Sequence, residues 1–408
     1  MMQSMQAAVS GLQMHEEAMN VIGNNIANVS TPGFKSSTAD FAELFSQTLQ
    51  GATAPTATSG GIAPAQIGLG VTLGGISVDT GQGTLEVTGN NSDLAIQGSG
   101  YFVLQGGSGQ PNYTRVGNFS TDAAGNLVQQ GTGDMVLGWS ANNGTITSTS
   151  TPPVPLKIPL DTTVQPTATT SITFGGNLDA LATLGTTIPV GETVYDSLGN
   201  TQTIDVTFTA TATPGTWTWS AGATPTFTGG GTITFTNTGA FNGVSGTTVT
   251  SLATLSDGAG QMVVNLDFAG MTDYAQASSA AAPDQNGATA GGLDSWTVDN
   301  AGNITGSFSN GKTEILGQIA MANFANPGAL TQLSDGLLQV SNDSGTAQLG
   351  TANTNGLGAI QAGALEQSNV SLSQQFANMI QVESGYQANA KVVTTAQSML
   401  QSLIQMVQ

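Results

Sequence analysis

The sequence has 408 residues, enough for two or three domains that each bury a core. Only 7% of its residues are charged, where a soluble protein averages roughly 25%. The five basic residues are scattered along the chain and cannot form the cluster that binds phosphates, so we expect no nucleic-acid or membrane partner. Cysteine is absent, which excludes disulfides, thiolate metal sites and cysteine nucleophiles.

The N-terminal segment is predicted to form an amphipathic helix. Its apolar residues recur at alternating spacings of four and three, which is the pattern of a heptad seam. They are Val9, Leu12, Met19 and Ile26, in a row that also includes Met5, Glu16 and Ile22. Pro32 and Gly33 stop the helix, because proline cannot continue it. The segment lacks the basic start and continuous apolar core of a cleavable signal peptide.

The middle of the chain is predicted to consist of β structure. Residues 51–68 and 351–363 are rich in small residues and glycine, which predicts extended connectors. Between them, residues 71–350 contain runs of β-branched and aromatic residues bounded by Gly and Asn, which are typical of strands. No stretch reaches the roughly 18 consecutive apolar residues of a membrane-spanning helix.

Three segments of the form Asp-x-x-Gly-Asn interrupt the predicted strands, at residues 122–126, 196–200 and 299–303. Each predicts a hairpin turn, because Gly accepts positive φ and Asp can accept hydrogen bonds from the following backbone. A calcium loop is the alternative. Calcium needs several closely spaced oxygen ligands, usually with a bidentate Glu, and none of the three segments continues in that way.

The C-terminal segment predicts a second and longer helix. Its heptad row contains Leu372, Phe376, Met379, Tyr386, Val393 and Leu400, together with Glu383, Ala390, Gln397, Ile404 and Val407. Such a helix would be on the order of 55 Å long, at 1.5 Å per residue. The row could pack on the helix's own domain, but the helix is longer than an adjoining β domain would need. Because the two terminal rows have matching spacings, the helices are expected to pair. Together with the family resemblance described below, this leads us to expect that both rows contact neighbouring chains.

The sequence offers no candidate catalytic, cofactor or metal site. His15 is the only histidine, and a triad or zinc site would require it to act from a helix far from other candidate residues. A solvated or interface histidine is the favoured interpretation. Gly68-Leu69-Gly70 and Gly98-Ser99-Gly100 do not open helices, so neither predicts a phosphate loop. A glycosidase pair of carboxylates has no positive support.

Both ends of the chain resemble the family of bacterial flagellar rod, hook and hook-associated proteins. The N-terminal match reads NNIANVSTPGFK, and its signature residues are Asn24, Asn25, Asn28, Pro32, Gly33, Phe34 and Lys35. The C-terminal match begins ALEQSNVSL at Ala364 and continues with YQANAK at Tyr386. Residues 194–200 and 316–327 resemble the hook members of the family. The resemblance covers nearly the whole chain and is weakest over residues 209–290.

One segment departs from the family pattern. The family often carries Gln-Arg before the tyrosine of the last helix, whereas this chain has Glu383-Ser384-Gly385 before Tyr386. Glycine inside a helix costs roughly 1 kcal/mol of stability relative to alanine. The contacts that Gln-Arg makes in the family are therefore in doubt for this chain.

The resemblance implies a mixed, multi-domain fold in which paired, coiled-coil-like terminal helices accompany two mainly-β domains in a nested arrangement. Residues 1–30 with 364–408 would form an inner helical polymerisation domain, and 31–70 with 356–363 an extended connector. Residues 71–145 with 286–355 would form an intermediate β domain. Residues 146–285 would form an outer β domain.

The function implied by the resemblance is that of a non-enzymatic hook subunit, polymerising into a curved tube that transmits motor torque and encloses the export channel. The implied partners are copies of itself, the distal rod protein, the hook cap, the hook-filament junction protein and the flagellar export apparatus. The implied location is the extracellular hook, reached without a cleavable signal peptide. Another axial component, such as a distal rod or junction protein, is the first alternative. A secreted β-rich adhesin is the second.

Overall fold

The computed structural model describes residues 2–55, 60–107, 109–142, 144–146, 148–160, 163–222, 227–251 and 258–407. Within them the chain is mostly β structure with one α-helix near each end, as the sequence predicted. The helices are α1 (Met2–Ala27) and α2 (Leu372–Val407). Neither is long and apolar enough to cross a membrane.

The strands follow in chain order. The first group is β1 (Ser37–Glu43), β2 (Ser46–Gln50), β3 (Ala65–Gly68), β4 (Val71–Val78), β5 (Leu85–Val87), β6 (Leu94–Gln97), β7 (Tyr101–Gln105), β8 (Pro111–Thr114), β9 (Phe119–Thr121), β10 (Leu127–Gln129), β11 (Met135–Ser140) and β12 (Val154–Pro155). The second is β13 (Thr163–Val164), β14 (Ser171–Asp179), β15 (Thr187–Tyr195), β16 (Thr201–Ala210), β17 (Thr216–Ala221), β18 (Phe227–Phe235), β19 (Phe241–Ser245), β20 (Thr248–Ser251), β21 (Val263–Tyr274) and β22 (Ala281–Gln285). The third is β23 (Gly291–Val298), β24 (Asn303–Phe308), β25 (Thr313–Ile319), β26 (Met321–Asn323), β27 (Thr331–Gln332), β28 (Leu337–Gln339), β29 (Gln348–Gly350), β30 (Ala359–Ala362) and β31 (Ala364–Glu366).

The chain divides into two compact units. The first comprises Met1–Ile158, Thr297–Thr305 and Ile315–Gln408, and the second comprises Pro159–Trp296 and Gly306–Glu314. In the first unit, five strands of the sheet are hydrogen-bonded in the order β11-β7-β8-β28-β27. Strand β7 is buried on both faces, because Tyr101 and Val103 join one apolar cluster while Phe102 packs on Phe119 with ring centroids 5.1 Å apart.

The second unit is a sheet with the strand order β15-β16-β17-β18-β20-β21-β14-β22. Its strands alternate, so that β16 buries Ile204, Val206 and Phe208 and turns threonines outward. This is the period of two expected for a sheet with one covered face. Phe268 lies in the centre of the core, with ring centroids 5.2 Å from Phe174 and 5.5 Å from Trp219.

The three Asp-x-x-Gly-Asn segments are hairpin turns, as predicted. Asp122 Oδ1 accepts the backbone N–H groups of Ala124 and Asn126, each at 2.8 Å. Residues 196–200 and 299–303 repeat the pattern. The glycine of each turn has φ between 80° and 85°, which side chains other than glycine rarely adopt. Among the described residues, no group of His, Asp and Glu side chains could hold a metal ion.

The segments predicted as extended connectors are paired in the structure. Strand β1 pairs with β4 and β2 pairs with β3, so residues 37–50 and 65–78 form the two arms of a long hairpin. Strand β30, in the second connector, pairs with β6 and buries Ile360. The composition of residues 51–68 hid this pairing, because β3 is only four residues long and its partner β2 lies just before that segment.

The fold yields a test at Asp273 in the second unit. This side chain is buried and accepts a hydrogen bond from Trp217 Nε1 at 3.2 Å. Burial raises the pKa of Asp273, so its charged form weakens the folded state at neutral pH. Asp273→Asn keeps an acceptor and removes the charge. We expect it to stabilise the second unit by on the order of 1 kcal/mol in thermal unfolding at pH 7.

The advantage of Asp273→Asn should shrink as the pH falls through the raised pKa, because the parent carboxyl then takes up a proton in the folded state. Asp267 is an exposed carboxylate on the same strand, and Asp267→Asn is the matched control with little expected effect. Equal unfolding temperatures for the parent and Asp273→Asn at pH 7 would contradict the interpretation.

Candidate assembly site

The two terminal helices lie antiparallel against each other in the first unit. Their contacts step in opposite directions along the chain: Gly11 meets Asn389, His15 meets Gly385, and Asn25 hydrogen-bonds Gln375. Helix α1 also contacts β1 and β4. The face of α1 that these contacts bury consists mostly of small or polar residues, namely Ala8, Gly11, Ala18, Ile22 and Asn25. Small residues allow close approach of the two backbones.

The residues predicted to mediate assembly lie outside the buried face of α1. Those that are exposed are Val9, Leu372, Phe376 and Tyr386, and those that are half-buried are Leu12, Met19, Ile26, Met379, Val393 and Leu400. Ile22 of the same α1 row is buried within the chain, whereas the four exposed side chains make little contact within it. This leaves them available for contacts with other molecules.

Of the two helices, α2 carries more of the exposed large apolar side chains. Phe376 is 52% exposed and Ile380 is 64% exposed, and further exposed apolar side chains are Val392, Met399, Leu403, Ile404 and Met406. Several exposed large apolar residues on one helix mark an interaction surface more often than a solvated face. His15 is half-buried against α2, so it lies at the contact between the two helices of one chain.

Asn25 connects the helices to the hairpin. Its side chain is 1% exposed. Asn25 Nδ2 donates to the carbonyl of Ser37 at 2.7 Å and to Gln375 Oε1 at 3.3 Å. The N–H of Ser37 donates to Asn25 Oδ1 at 3.0 Å. One amide thus links the last turns of α1, the start of β1 and the first turn of α2, which requires a side chain with both donor and acceptor groups.

The remaining signature residues end α1 and redirect the chain. The carbonyl of Asn24 accepts two hydrogen bonds from Asn28, one from its N–H at 3.1 Å and one from its side-chain Nδ2 at 3.0 Å. Pro32 follows in the turn, and Gly33 has a φ of 71°. The N–H of Gly33 donates to the carbonyl of Glu366 at 2.7 Å. A Cβ at Gly33 would lie 2.8 Å from Val116 Cγ2, so the close approach also favours glycine.

The segment after the turn is held to the segment that precedes α2. The N–H of Ser36 donates to Asn369 Oδ1 at 2.8 Å, and the carbonyl of Phe34 accepts the N–H of Asn369 at 3.4 Å. Asn369 Nδ2 donates to the carbonyl of Asp79 at 3.0 Å. The two ends of the chain are therefore joined by hydrogen bonds next to the helix pair.

Glu366 is the electrostatic centre of this junction and is 1% exposed. Its Oε1 accepts Lys35 Nζ at 2.6 Å and the N–H of Gly83 at 2.8 Å, and its Oε2 accepts Arg115 Nη1 at 3.2 Å. Burial lowers the pKa of Lys35, although the hydrogen bond and charge of Glu366 oppose this shift. Two of the chain's five basic residues thus share one buried carboxylate.

Reasoning from the sequence identified Lys35 but not its partners Glu366 and Arg115. Glu366 lies within the C-terminal stretch that resembles the flagellar family, yet nothing local distinguishes it from an exposed acid. The rarity of basic residues is the one feature of the sequence that could have indicated this ion cluster. In a chain with five of them, each is a candidate for a buried ion pair.

The ion cluster predicts a large effect of Glu366→Gln. The substitution keeps the size of the side chain but leaves Lys35 and Arg115 without their counter-charge, and removing one partner of a buried ion pair costs about 3 to 5 kcal/mol. Denaturant unfolding of the first unit should show this loss. Glu86 is exposed on the strand that pairs with β31, so Glu86→Gln is the matched control and should leave stability unchanged. Equal stabilities for the two variants would refute the cluster's role.

Comparison with known protein families gave matches along most of the chain. Residues 5–35 match the model of the flagella basal body rod protein, and residues 361–406 match the C-terminal model of the flagellar basal body rod FlgEFG protein. Residues 95–177 match the D1 domain model of flagellar hook protein FlgE/F/G. Residues 189–288 match the D2 domain model of flagellar basal body protein FlaE.

Individual relatives match over nearly the full length. The chain is 34% identical to the flagellar hook protein FlgE of Treponema pallidum, over 99% of each chain. It is also 34% identical to that of Salmonella typhimurium, over 98% of this chain and 99% of the relative. The flagellar basal-body rod protein FlgG of Bacillus subtilis is 27% identical over 99% and 98% of the two chains.

Among solved structures, the Helicobacter pylori flagellar hook protein FlgE2 superposes with a TM-score of 0.53 at 15% identity. The match covers 69% of this chain and 100% of that one, and it supports the fold. The family models at both ends and in the middle agree with the hook proteins that match over the full length. The chain therefore belongs to the flagellar hook protein FlgE family.

Proposed function

We propose that the chain is the structural subunit of the flagellar hook and polymerises through its terminal helices into a curved tube. The observation that carries this proposal is the 34% identity to hook proteins over nearly the whole length. The family is one of structural proteins rather than enzymes. The tube would transmit motor torque as a universal joint and enclose the export channel.

The helices supply the chemistry for polymerisation. Within one chain, α1 and α2 contact each other through small and polar residues, while Phe376 and Ile380 stay exposed. Burying such side chains between copies is favourable by roughly 25 cal/mol per Å² of apolar surface. Because the same contact recurs in every subunit and its rotation need not close into a ring, an open helical polymer results.

We propose the nested arrangement that the family resemblance implies. Residues 1–30 with 364–408 would be inner and residues 146–285 outer. Residues 71–145 with 286–355 would lie between them, and residues 31–70 with 356–363 would connect the inner and intermediate parts. Support comes from the chain order, since both termini belong to one compact unit and the other unit is inserted between them. The hairpin of β1 to β4 occupies the proposed connector.

The proposed partners are further copies of the chain, the distal rod protein, the hook cap, the hook-filament junction protein and the flagellar export apparatus. The proposed location is the extracellular hook, reached by flagellar export without a cleavable signal. A rod component is the competing axial assignment. The higher identity to hook proteins, 34% against 27% for the rod protein FlgG, favours the hook.

The assembly surface is tested by Phe376→Asp. Phe376 is exposed in the single chain, so the substitution should leave the folded monomer intact. In a tube it would place an unpaired charge in a desolvated contact that every subunit repeats. We expect sedimentable polymer to disappear while thermal unfolding of the monomer is unchanged. Gln381→Asp adds the same charge at an exposed polar position of α2 and should still form tubes.

Normal tubes from Phe376→Asp, seen by negative-stain microscopy, would argue against α2 as the assembly surface. Loss of polymer in both Phe376→Asp and Gln381→Asp would indicate that charge anywhere on this helix blocks assembly. A lower unfolding temperature for Phe376→Asp alone would show that Phe376 packs within its own chain.

The state of the helices gives a second test. A helix that buries little surface within its chain offsets little of the entropy lost on ordering. The terminal helices should therefore be partly unfolded in the monomer and fully helical in the tube. Circular dichroism at 222 nm, compared between monomer and polymer at equal concentration, should show more helix in the polymer. Equal helicity in both states would contradict the prediction.

A further inference from the structure

In the helix pair, His15 of α1 packs against Gly385 of α2. His15 is the only histidine of the chain, and Gly385 is the only glycine of α2. A Cβ placed on Gly385 would lie 2.5 Å from His15 Cε1 and 2.6 Å from His15 Nε2. The imidazole ring therefore occupies the space that any other residue at 385 would fill with its side chain.

The other side of the His15 ring is also constrained. Its edge packs on Phe41 of β1, with ring centroids 5.7 Å apart and the planes at 85°. The preferred geometry of aromatic pairs is edge-to-face, so this contact opposes rotation of the ring away from α2. His15 is thus wedged between α2 and β1.

A second glycine repeats the arrangement with the roles of the helices exchanged. A Cβ on Gly11 of α1 would lie 2.6 Å from Asn389 Nδ2 of α2. Gly11 and Asn389 each lie four residues, about one helical turn, from His15 and Gly385. Each helix therefore offers one glycine to one larger side chain of the other.

We infer that the contact of His15 with Gly385 sets the register of α1 against α2. The contact of Gly11 with Asn389 sets the same register one helical turn away. A slip of one turn would bring Gln381 or Asn389 opposite His15, and either side chain would meet the ring. Only Gly385 gives the ring room. The position of the His15 ring also accounts for a glycine inside a long helix, because a Cβ at residue 385 would meet the ring.

The register has a consequence for assembly, and this step rests on the proposed function. Neighbouring copies would contact a surface made by both helices, including Val9 of α1 and Phe376 of α2. A shifted register would move Val9 and Phe376 relative to each other and weaken the contact between neighbouring copies. His15 and Gly385 are positioning residues in this account, because they act through the surface that the helices present.

The test is a double-mutant cycle on tube assembly with the full chain. Gly385→Ala should raise the critical concentration for assembly about fivefold or more, within the range of coupling between contacting residues. In the double variant with His15→Ala and Gly385→Ala, the critical concentration should return to that of His15→Ala alone or fall below it. Gly23→Ala is the matched control, since a Cβ at this helical glycine meets no atom within 4 Å. Alanine is the better helix former, so this variant should assemble at least as well as the parent.

Register is measured directly by disulfide formation, because the chain has no native cysteine. The observed contacts place Val382 opposite Ala18, so Ala18→Cys with Val382→Cys should form an intrachain disulfide in the parent background. The yield should fall in the Gly385→Ala background and recover when His15→Ala is added. Both the monomer and the assembled protein are assayed.

The outcomes separate this inference from the proposed function. A parent pair that cross-links in a chain that never forms tubes would refute polymerisation and leave the register contact standing. Tubes that form with equal cross-linking in the parent and Gly385→Ala would refute the inference and leave polymerisation standing. The register inference would also be overturned if the parent cross-link formed neither in the monomer nor in the tube. It would likewise be overturned if Gly385→Ala and Gly23→Ala changed the critical concentration for assembly equally.

Discussion

The antiparallel contact between α1 and α2 is the constraint on which the rest of the structure depends. It joins residues separated by 350 positions or more, as in the hydrogen bond between Asn25 and Gln375. Because the two ends of the chain meet, the central β structure must begin and end next to the helix pair. The Glu366 cluster and Asn369 hold that place together.

The helices and the hairpin turns could be predicted from the sequence because their signals are local. The turn at Asp122 needs only five consecutive residues, and the row at Phe376 needs only a period. The ion pair between Lys35 and Glu366 spans 331 residues and leaves no local pattern. The buried face of α1 could not be predicted either, because Ala8, Gly11 and Ala18 are too small to stand out in an apolar repeat.

The scarcity of charge is consistent with a surface made for repeated contacts. Each charged side chain buried between copies needs a partner or loses solvation, whereas threonine, asparagine and glycine can pack with smaller penalties. The chain places two of its five basic residues on one buried carboxylate, where they stabilise the junction, and leaves few cations for its surface. Specificity between copies must then come from shape and register rather than from charge pairs, which gives the helix contact its importance.

We propose that each chain pairs its own helices through small residues and presents the exposed apolar side chains of α2 to its neighbours. The decisive experiment is an electron cryomicroscopy reconstruction of the assembled tube, at a resolution that shows side chains. We expect Ala18 of α1 to lie against α2 of the same chain, and Phe376 and Ile380 to be buried against other chains. Finding Phe376 and Ile380 in solvent, or α1 paired with the α2 of a neighbour, would contradict it.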